Sequence, residues 1–131
     1  MKSINEYVQA AHQNAVSKGW WDEERSLGEV LVLVHSEVSE ALEDHRNGHE
    51  PTDVWYEEEL GDVTITHYPN ALPQLKIPGY WKPCGIPSEL ADICIRVFDA
   101  CGRYGIDLEQ AIEEKMAYNA TRPQRHGGKK L

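Results

Sequence analysis

The sequence predicts an all-α domain of four helices, and three observations indicate this fold class. Apolar residues recur at i, i+3 and i+4 in four stretches. Glycine or proline stands at the end of each stretch, and strand-like alternation is confined to one short segment. At 131 residues the chain fits one domain spanning 1–131, with the helices packed in a bundle-like arrangement. The predicted helices span 4–17, 27–46, 88–104 and 108–120.

The first two predicted helices begin at residues that favour helix caps. Ser3 or Asn5 can cap the first helix, and Gly19 ends it. The second helix follows Ser26-Leu27-Gly28-Glu29, a capping-box pattern, and ends at Asn47-Gly48. Both boundaries therefore rest on local chemistry as well as on periodicity.

The last two predicted helices are also bounded by specific residues. Pro87 stands near the start of the third helix, and Gly105 ends it. Asp107 caps the fourth helix, which ends at Arg122-Pro123. A basic tail of about residues 123–131 follows, and we expect it to be flexible.

The segment of about residues 49–86 predicts a long irregular loop between the second and third helices. Val63-Thr64-Ile65-Thr66 alternates and is compatible with a short strand, in a hairpin with residues 74–81. Loops of this length are usually functional or mobile. Prolines interrupt the segment at Pro51, Pro69, Pro73, Pro78 and Pro83.

Composition excludes several classes of function. A formal net charge of −9 argues against general nucleic-acid binding, and no window approaches the length of a membrane span. The three cysteines form no CxxC, and the N-terminus has no apolar leader segment, so we expect reduced thiols and a cytoplasmic location. No P-loop, GxSxG or zinc spacing of histidines is present in the sequence.

Two acidic patterns predict a metal site. Glu37-x-x-Glu40 lies in the second helix, and Glu89-x-x-Asp92 lies in the third. Residues three apart share a helix face, so each pattern presents two carboxylates. Four carboxylates brought together require cations, and oxygen ligands favour Mg²⁺, with Mn²⁺ as a substitute. Taken singly, each pattern is also typical of a solvated acidic face or of a helix N-terminus.

A third acidic pattern, Glu59-Leu60-Gly61-Asp62, has the same spacing. The residues after Asp62 are β-branched and then interrupted by proline, which does not favour a continuing helix. We therefore prefer residues 89–92 as the second acidic pair and keep 59–62 as the alternative.

Two further groups are candidates for nucleotide binding. Lys115, Asn119 and Arg122 share one face at the end of the fourth helix and could bind a polyphosphate. The same cations would also favour the helix C-terminus without any ligand. Trp20 and Trp21 lie in a predicted loop, where they could stack on a nucleobase or close the end of the bundle.

With these motifs, the chain resembles the MazG-like nucleoside triphosphate pyrophosphohydrolases of the all-α NTP pyrophosphatase superfamily. The resemblance rests on the two acidic pairs, on Lys18-Gly-Trp-Trp-Asp22 and on the run from Glu114 to Lys130, which contains YNATRPQRHGGKK. It covers about residues 1–48 and 83–131. The separation between Glu40 and Glu89 is longer than the family's usual spacing.

The resemblance implies a function, a cofactor and an assembly. Glu37, Glu40, Glu89 and Asp92 would hold Mg²⁺, and Glu37 or Glu40 would orient the attacking water. The reaction would convert an NTP or dNTP to NMP and pyrophosphate, in the manner of nucleotide-pool house-cleaning enzymes, and the protein would form a homodimer or homotetramer. Two alternatives stay open: a non-catalytic helical oligomerisation or binding module, and a metal-dependent hydrolase of another phosphorylated nucleotide.

Overall fold

The computed structural model describes residues 1–69 and 76–123 and contains both helices and strands. The predicted helices are confirmed, with the third beginning two residues earlier than expected and the fourth ending one residue later. In chain order the elements are α1 (Ile4–Ser17), α2 (Leu27–Arg46), β1 (Trp55–Leu60), β2 (Val63–His67), β3 (Lys82–Cys84), α3 (Ile86–Tyr104) and α4 (Leu108–Thr121).

The prediction of an all-α fold is wrong, because the segment between α2 and α3 forms an antiparallel sheet of order β2-β1-β3. The fold is mostly helical but mixed. The sequence analysis includes residues 55–60 in the irregular loop of about 49–86, which prolines interrupt. The backbone pairing of this segment with strands on both sides outweighs its low intrinsic strand propensity.

The predicted hairpin has a different partner from the one expected. The strand Val63–His67 pairs with Trp55–Leu60, in the register Leu60↔Val63 and Tyr56↔His67. Gly61, at φ 63°, provides the tight turn between them. Of the expected partner, residues 76–81 are outside any strand and 74–75 lie outside the described residues.

The hairpin also decides against the alternative acidic pair. Glu59 lies in β1, and Asp62 lies in the turn that connects β1 to β2. The two residues therefore do not present paired carboxylates on one helix face.

The chain divides into two compact units. One unit contains Met1–Glu24 together with the chain from Val97 onward, and the other contains Arg25–Arg96. We call them the terminal unit and the central unit. No helix in the described ranges combines the length and the hydropathy that are needed to cross a bilayer.

In the terminal unit, α1 begins with a complete capping box between Ser3 and Glu6. The start of α1 also contacts the start of α4, where Asn5 Nδ2 donates to Asp107 Oδ1 over 2.9 Å. Asp107 in turn caps α4 by accepting from the Gln110 N–H. These polar contacts fix the relative position of the two helix N-termini.

In the central unit, the sheet is joined to the start of α3. Trp55 in β1 pairs with Cys84 in β3, and Gly85 follows immediately at φ 112°. A Cβ at Gly85 would overlap the Asp53 carbonyl oxygen. Only glycine satisfies both the backbone conformation and this close approach, so β1 lies directly against the residue that precedes α3.

Candidate metal centre

Glu37 is a buried carboxylate on the inner face of α2. It lies seven residues after Val30, the other buried residue of that helix, so the two share a face. Only 8% of Glu37 is exposed. Burial of an unpaired carboxylate is costly, and Arg96 compensates by donating from Nε to Glu37 Oε1 over 2.6 Å.

Glu89 and Asp92 lie near the start of α3 and approach Glu37. The N–H of Glu89 donates to the Gly85 carbonyl over 3.0 Å, which places this residue in the first turn. Carboxylate oxygens of Glu37, Glu89 and Asp92 all lie within 4.8 Å of one another. These residues form an acidic cluster that could hold a metal ion, as the paired acidic patterns predicted for three of their four members.

The fourth predicted member, Glu40, lies beside this cluster and acts on Glu89. The pKa of Glu89 is raised to about 7, mainly by burial and then by a hydrogen bond with Glu40 and by the charges of Glu40, Asp92 and Asp44. The neutral form of the Glu89 carboxyl group is therefore favoured in the absence of a cation.

The pKa of Asp92 is also raised. Burial is the main cause, and the charge of Glu37 adds to it. Arg96 and Lys82 act in the opposite direction. Burial and the Glu37 charge thus outweigh the effect of the two nearby cations, and a bound metal ion would favour the ionised form of Asp92.

Two buried carboxylate oxygens indicate that the acidic residues suit a cation. Glu89 Oε2 and Asp44 Oδ2 are buried and receive no hydrogen bond in the described part of the chain. A buried oxygen without a donor is costly. A hard cation would satisfy such oxygens, so the residues present fit a metal ion.

Asp44 and Lys82 act on Glu89 and Asp92 through their charges, and the sequence analysis did not predict either residue near the acidic cluster. Asp44 lies seven residues after Glu37 and four after Glu40, so the same-face rule that paired those residues could have included it. Lys82 had no comparable signal. It approaches Asp92 because it lies in β3, and that strand was not predicted.

The predicted phosphate-binding residues lie in the terminal unit, at the end of α4. Lys115 and Asn119 are exposed, and Arg122 is half-buried. Lys115 Nζ lies 5.9 Å from the centre of the Tyr118 ring, and the Arg122 guanidinium lies 5.5 Å from it. The structure therefore brings the two cations together around one aromatic ring. The other predicted basic residues, in the tail after residue 123, lie outside the described residues.

The predicted nucleobase-binding residues Trp20 and Trp21 also lie in the terminal unit, and both are half-buried. The Trp21 indole N–H donates to Asp99 Oδ1 over 2.9 Å. The Arg103 guanidinium lies 5.0 Å from the Trp21 ring, and Tyr104 meets that ring edge-on. Trp21 thus has packing contacts within its own unit.

Comparisons of the chain with protein-family models, with curated proteins and with solved structures find no match. The functional interpretation therefore depends on the residues and geometry of the acidic cluster itself.

Proposed function

We propose that the protein is a Mg²⁺-dependent nucleoside triphosphate pyrophosphohydrolase. The observation that carries this proposal is the acidic cluster, in which α2 and α3 bring Glu37, Glu89 and Asp92 within 4.8 Å. The buried Oε2 of Glu89, which receives no hydrogen bond from the described residues, supports a cation at the same place. The resemblance of the sequence motifs to MazG-like enzymes supports the choice of substrate.

In this proposal Glu37, Glu89 and Asp92 would hold Mg²⁺, with Glu40 beside them. The bound ion would neutralise the triphosphate and the departing pyrophosphate, and would lower the pKa of the attacking water. Mg²⁺ is preferred to softer metals because every protein ligand is a carboxylate oxygen. Mn²⁺ would substitute for it.

Glu40 is the best candidate for the general base. Glu37 is less suited to accept a proton, since it is buried and its Oε1 accepts from Arg96. Glu40 is exposed, and it lies within hydrogen-bonding distance of Glu89 at the edge of the acidic cluster. It would take a proton from water as the water oxygen bonds to the α-phosphorus, and the bond from that phosphorus to the bridging oxygen would break to release pyrophosphate.

Cations of the chain would assist in binding the phosphates. The charges of Lys82 and Arg96 reach Asp92 and oppose the rise in its pKa, so both could contact a triphosphate held at the cluster. Lys115, Asn119 and Arg122 remain proposed phosphate ligands from the end of α4.

We also propose that the protein is a homodimer or homotetramer. One side of α2 carries apolar side chains that are about half exposed within the chain, and the exposed fractions are 47% for Leu27, 53% for Leu31, 50% for Val38 and 46% for Leu42. A second copy packed on this stripe would remove it from water. Light scattering of the purified protein measures the assembly directly.

The proposed reaction is tested by measuring NMP and pyrophosphate released from a panel of NTPs and dNTPs, with Mg²⁺, with Mn²⁺ and with EDTA. Replacement of a general base costs about 100-fold or more in rate, so Glu40→Gln should lower turnover by at least that factor. Glu43→Gln, an exposed residue of the same helix, is the matched control and should leave turnover unchanged.

Two results would contradict the proposal. Absence of pyrophosphate release from every nucleotide, at high enzyme concentration and with either metal, would favour a binding module or a different phosphorylated substrate. Metal-independent release that survives Glu40→Gln would place the reaction elsewhere in the protein.

A further inference from the structure

A cleft of about 420 Å³ opens in the central unit, where the connection from α2 enters the sheet. Its walls include three aromatic rings, those of His49, Trp55 and Tyr68, together with the polar residues Thr52 and Asp53. Clefts of roughly 300–1,000 Å³ that combine aromatic walls with a few polar groups are typical small-molecule sites. None of these residues belongs to the acidic cluster.

The aromatic walls are suited to a flat ligand. The rings of His49 and Trp55 lie 4.2 Å apart between centroids, tilted by 31°, so each limits the motion of the other. Tyr68 follows the end of β2 and leaves 59% of its surface exposed. A large aromatic side chain exposed at the wall of a cleft gains free energy when a planar ring covers it.

The polar residues could select among flat ligands. Asp53 Oδ2 accepts from the backbone N–H of Glu50 over 2.8 Å, which holds the carboxylate in place. The fixed carboxylate favours a ring that presents N–H donors. Amino and ring N–H groups of nucleobases are donors of this kind.

The cleft and the acidic cluster are connected through Gly85. The Asp53 carbonyl and the Trp55 ring both pack against Gly85, and the Gly85 carbonyl accepts from the N–H of Glu89. One wall of the cleft is therefore two contacts from the backbone of Glu89, a residue of the acidic cluster in the same compact unit. A ligand that joins a flat base to phosphates could occupy both places.

We propose that this cleft binds the nucleobase of the substrate, against Tyr68 and beside Asp53. The identification of the ligand as a nucleotide rests on the proposed function. The cleft is made by the segment between α2 and α3, which thereby acquires a role in choosing the base. This assignment replaces Trp20 and Trp21 as the principal base-binding residues.

The test measures binding of free nucleosides in EDTA, by calorimetric titration and by ligand-observed NMR. Guanosine, adenosine, cytidine and uridine are the probes, since they carry a base but no phosphate. Tyr68→Ala should weaken binding of the preferred nucleoside about tenfold, as expected for loss of one stacking contact. Tyr80→Ala is the matched control, because Tyr80 is 74% exposed in the same unit and is not part of the cleft wall.

Turnover gives a second and independent measurement. Tyr68→Ala should raise KM for the triphosphate of the preferred base about tenfold, with kcat nearly unchanged, because Tyr68 contacts no reacting atom. Circular dichroism verifies that both tyrosine variants keep the native fold.

The outcomes separate the cleft from the proposed reaction. Nucleoside binding that depends on Tyr68 supports the cleft even if no nucleotide is hydrolysed, in which case the proposed reaction alone fails. If nucleotides are hydrolysed with the same KM by wild type and Tyr68→Ala, the cleft is not the nucleobase site, and the proposed reaction still stands. Loss of nucleoside binding in Trp20→Ala but not in Tyr68→Ala would also overturn the cleft as the nucleobase site.

Discussion

Replacement of Glu89 by glutamine should stabilise the metal-free protein at high pH and leave it unchanged at low pH. The pKa of Glu89 is raised from 4.5 to about 7 in the folded protein, first by burial and then by Glu40 and other acids. Between those values the folded state holds a proton that the unfolded state releases. Stability from this group is therefore complete below pH 4.5 and is lost as the pH rises through 7.

The magnitude follows from the size of the shift. One pKa unit corresponds to about 1.4 kcal/mol, so the full shift would correspond to roughly 3 kcal/mol. Glu89 retains contact with solvent, and screening reduces the expected effect to about 1–2 kcal/mol. Glutamine is neutral at every pH, and its amide can donate to the Glu40 carboxylate. Above pH 7 the Glu89→Gln variant should exceed wild type in unfolding free energy by that amount.

The assay is urea unfolding in EDTA at pH 4, 5, 6, 7 and 8, followed by circular dichroism. The quantity of interest is the difference in unfolding free energy between wild type and variant. Glu43→Gln, on the exposed side of α2, should give a difference that does not change with pH in this range. A Glu89→Gln difference that is constant, or that has the opposite slope, would refute the reasoning.

Mg²⁺ should make wild type more stable than Glu89→Gln, which is the reverse of the order expected in EDTA at high pH. Metal binding requires ionised carboxylates and releases their protons, so wild type should gain stability from Mg²⁺, and should gain more at pH 8 than at pH 6. Glu89→Gln should gain less at either pH. Equal gains for the two proteins would exclude Glu89 as a ligand.

Two further predictions concern backbone and polar packing. Gly85→Ala should lower the unfolding free energy by about 2 kcal/mol or more, because a Cβ would overlap the Asp53 carbonyl at a positive φ. Urea unfolding measures this loss. Gly79→Ala is the control and should have little effect, because Gly79 has open space around it. Asp99→Ala should lower the unfolding free energy by about 1–3 kcal/mol, because it removes the hydrogen-bond partner of the His12 ring and of the Trp21 indole N–H. Thermal unfolding measures this loss. A loss of stability no larger than that of Glu113→Ala, at an exposed residue, would contradict the prediction.

The helices could be predicted from the sequence because their signals are local. Ser3, Ser26 and Asp107 all cap the helices that follow them, as expected. Each cap depends on a side chain and a backbone N–H three residues later, so a short window of sequence contains the whole interaction. The same holds for Glu89 and Asp92, which share a face because one helix contains both.

The sheet could not be predicted in the same way. β1 is stabilised by partners on both sides, and one of them, β3, lies more than 20 residues away. The glutamates of β1 do not alternate with apolar residues, and Lys82 and Pro83 in β3 are unfavourable strand residues. The long-range pairing that makes these segments strands also brings Lys82 to the acidic cluster, so the missed strand and the missed cation have one cause.

The pairing of Trp55 with Cys84 has a consequence for how this chain can vary in length. The segment between α2 and α3 leaves and returns through neighbouring strands, whose backbones are about 5 Å apart. Residues can be added or removed beyond this pair, in the hairpin and its return, while the ends of the segment keep their spacing. Glu40 and Glu89 can therefore lie close together in space although they are far apart in the sequence, because the length of the segment between them does not change the spacing of its ends. The β1–β3 pair holds the two ends of this segment together, so we expect changes of length beyond the pair to leave the acidic cluster in place.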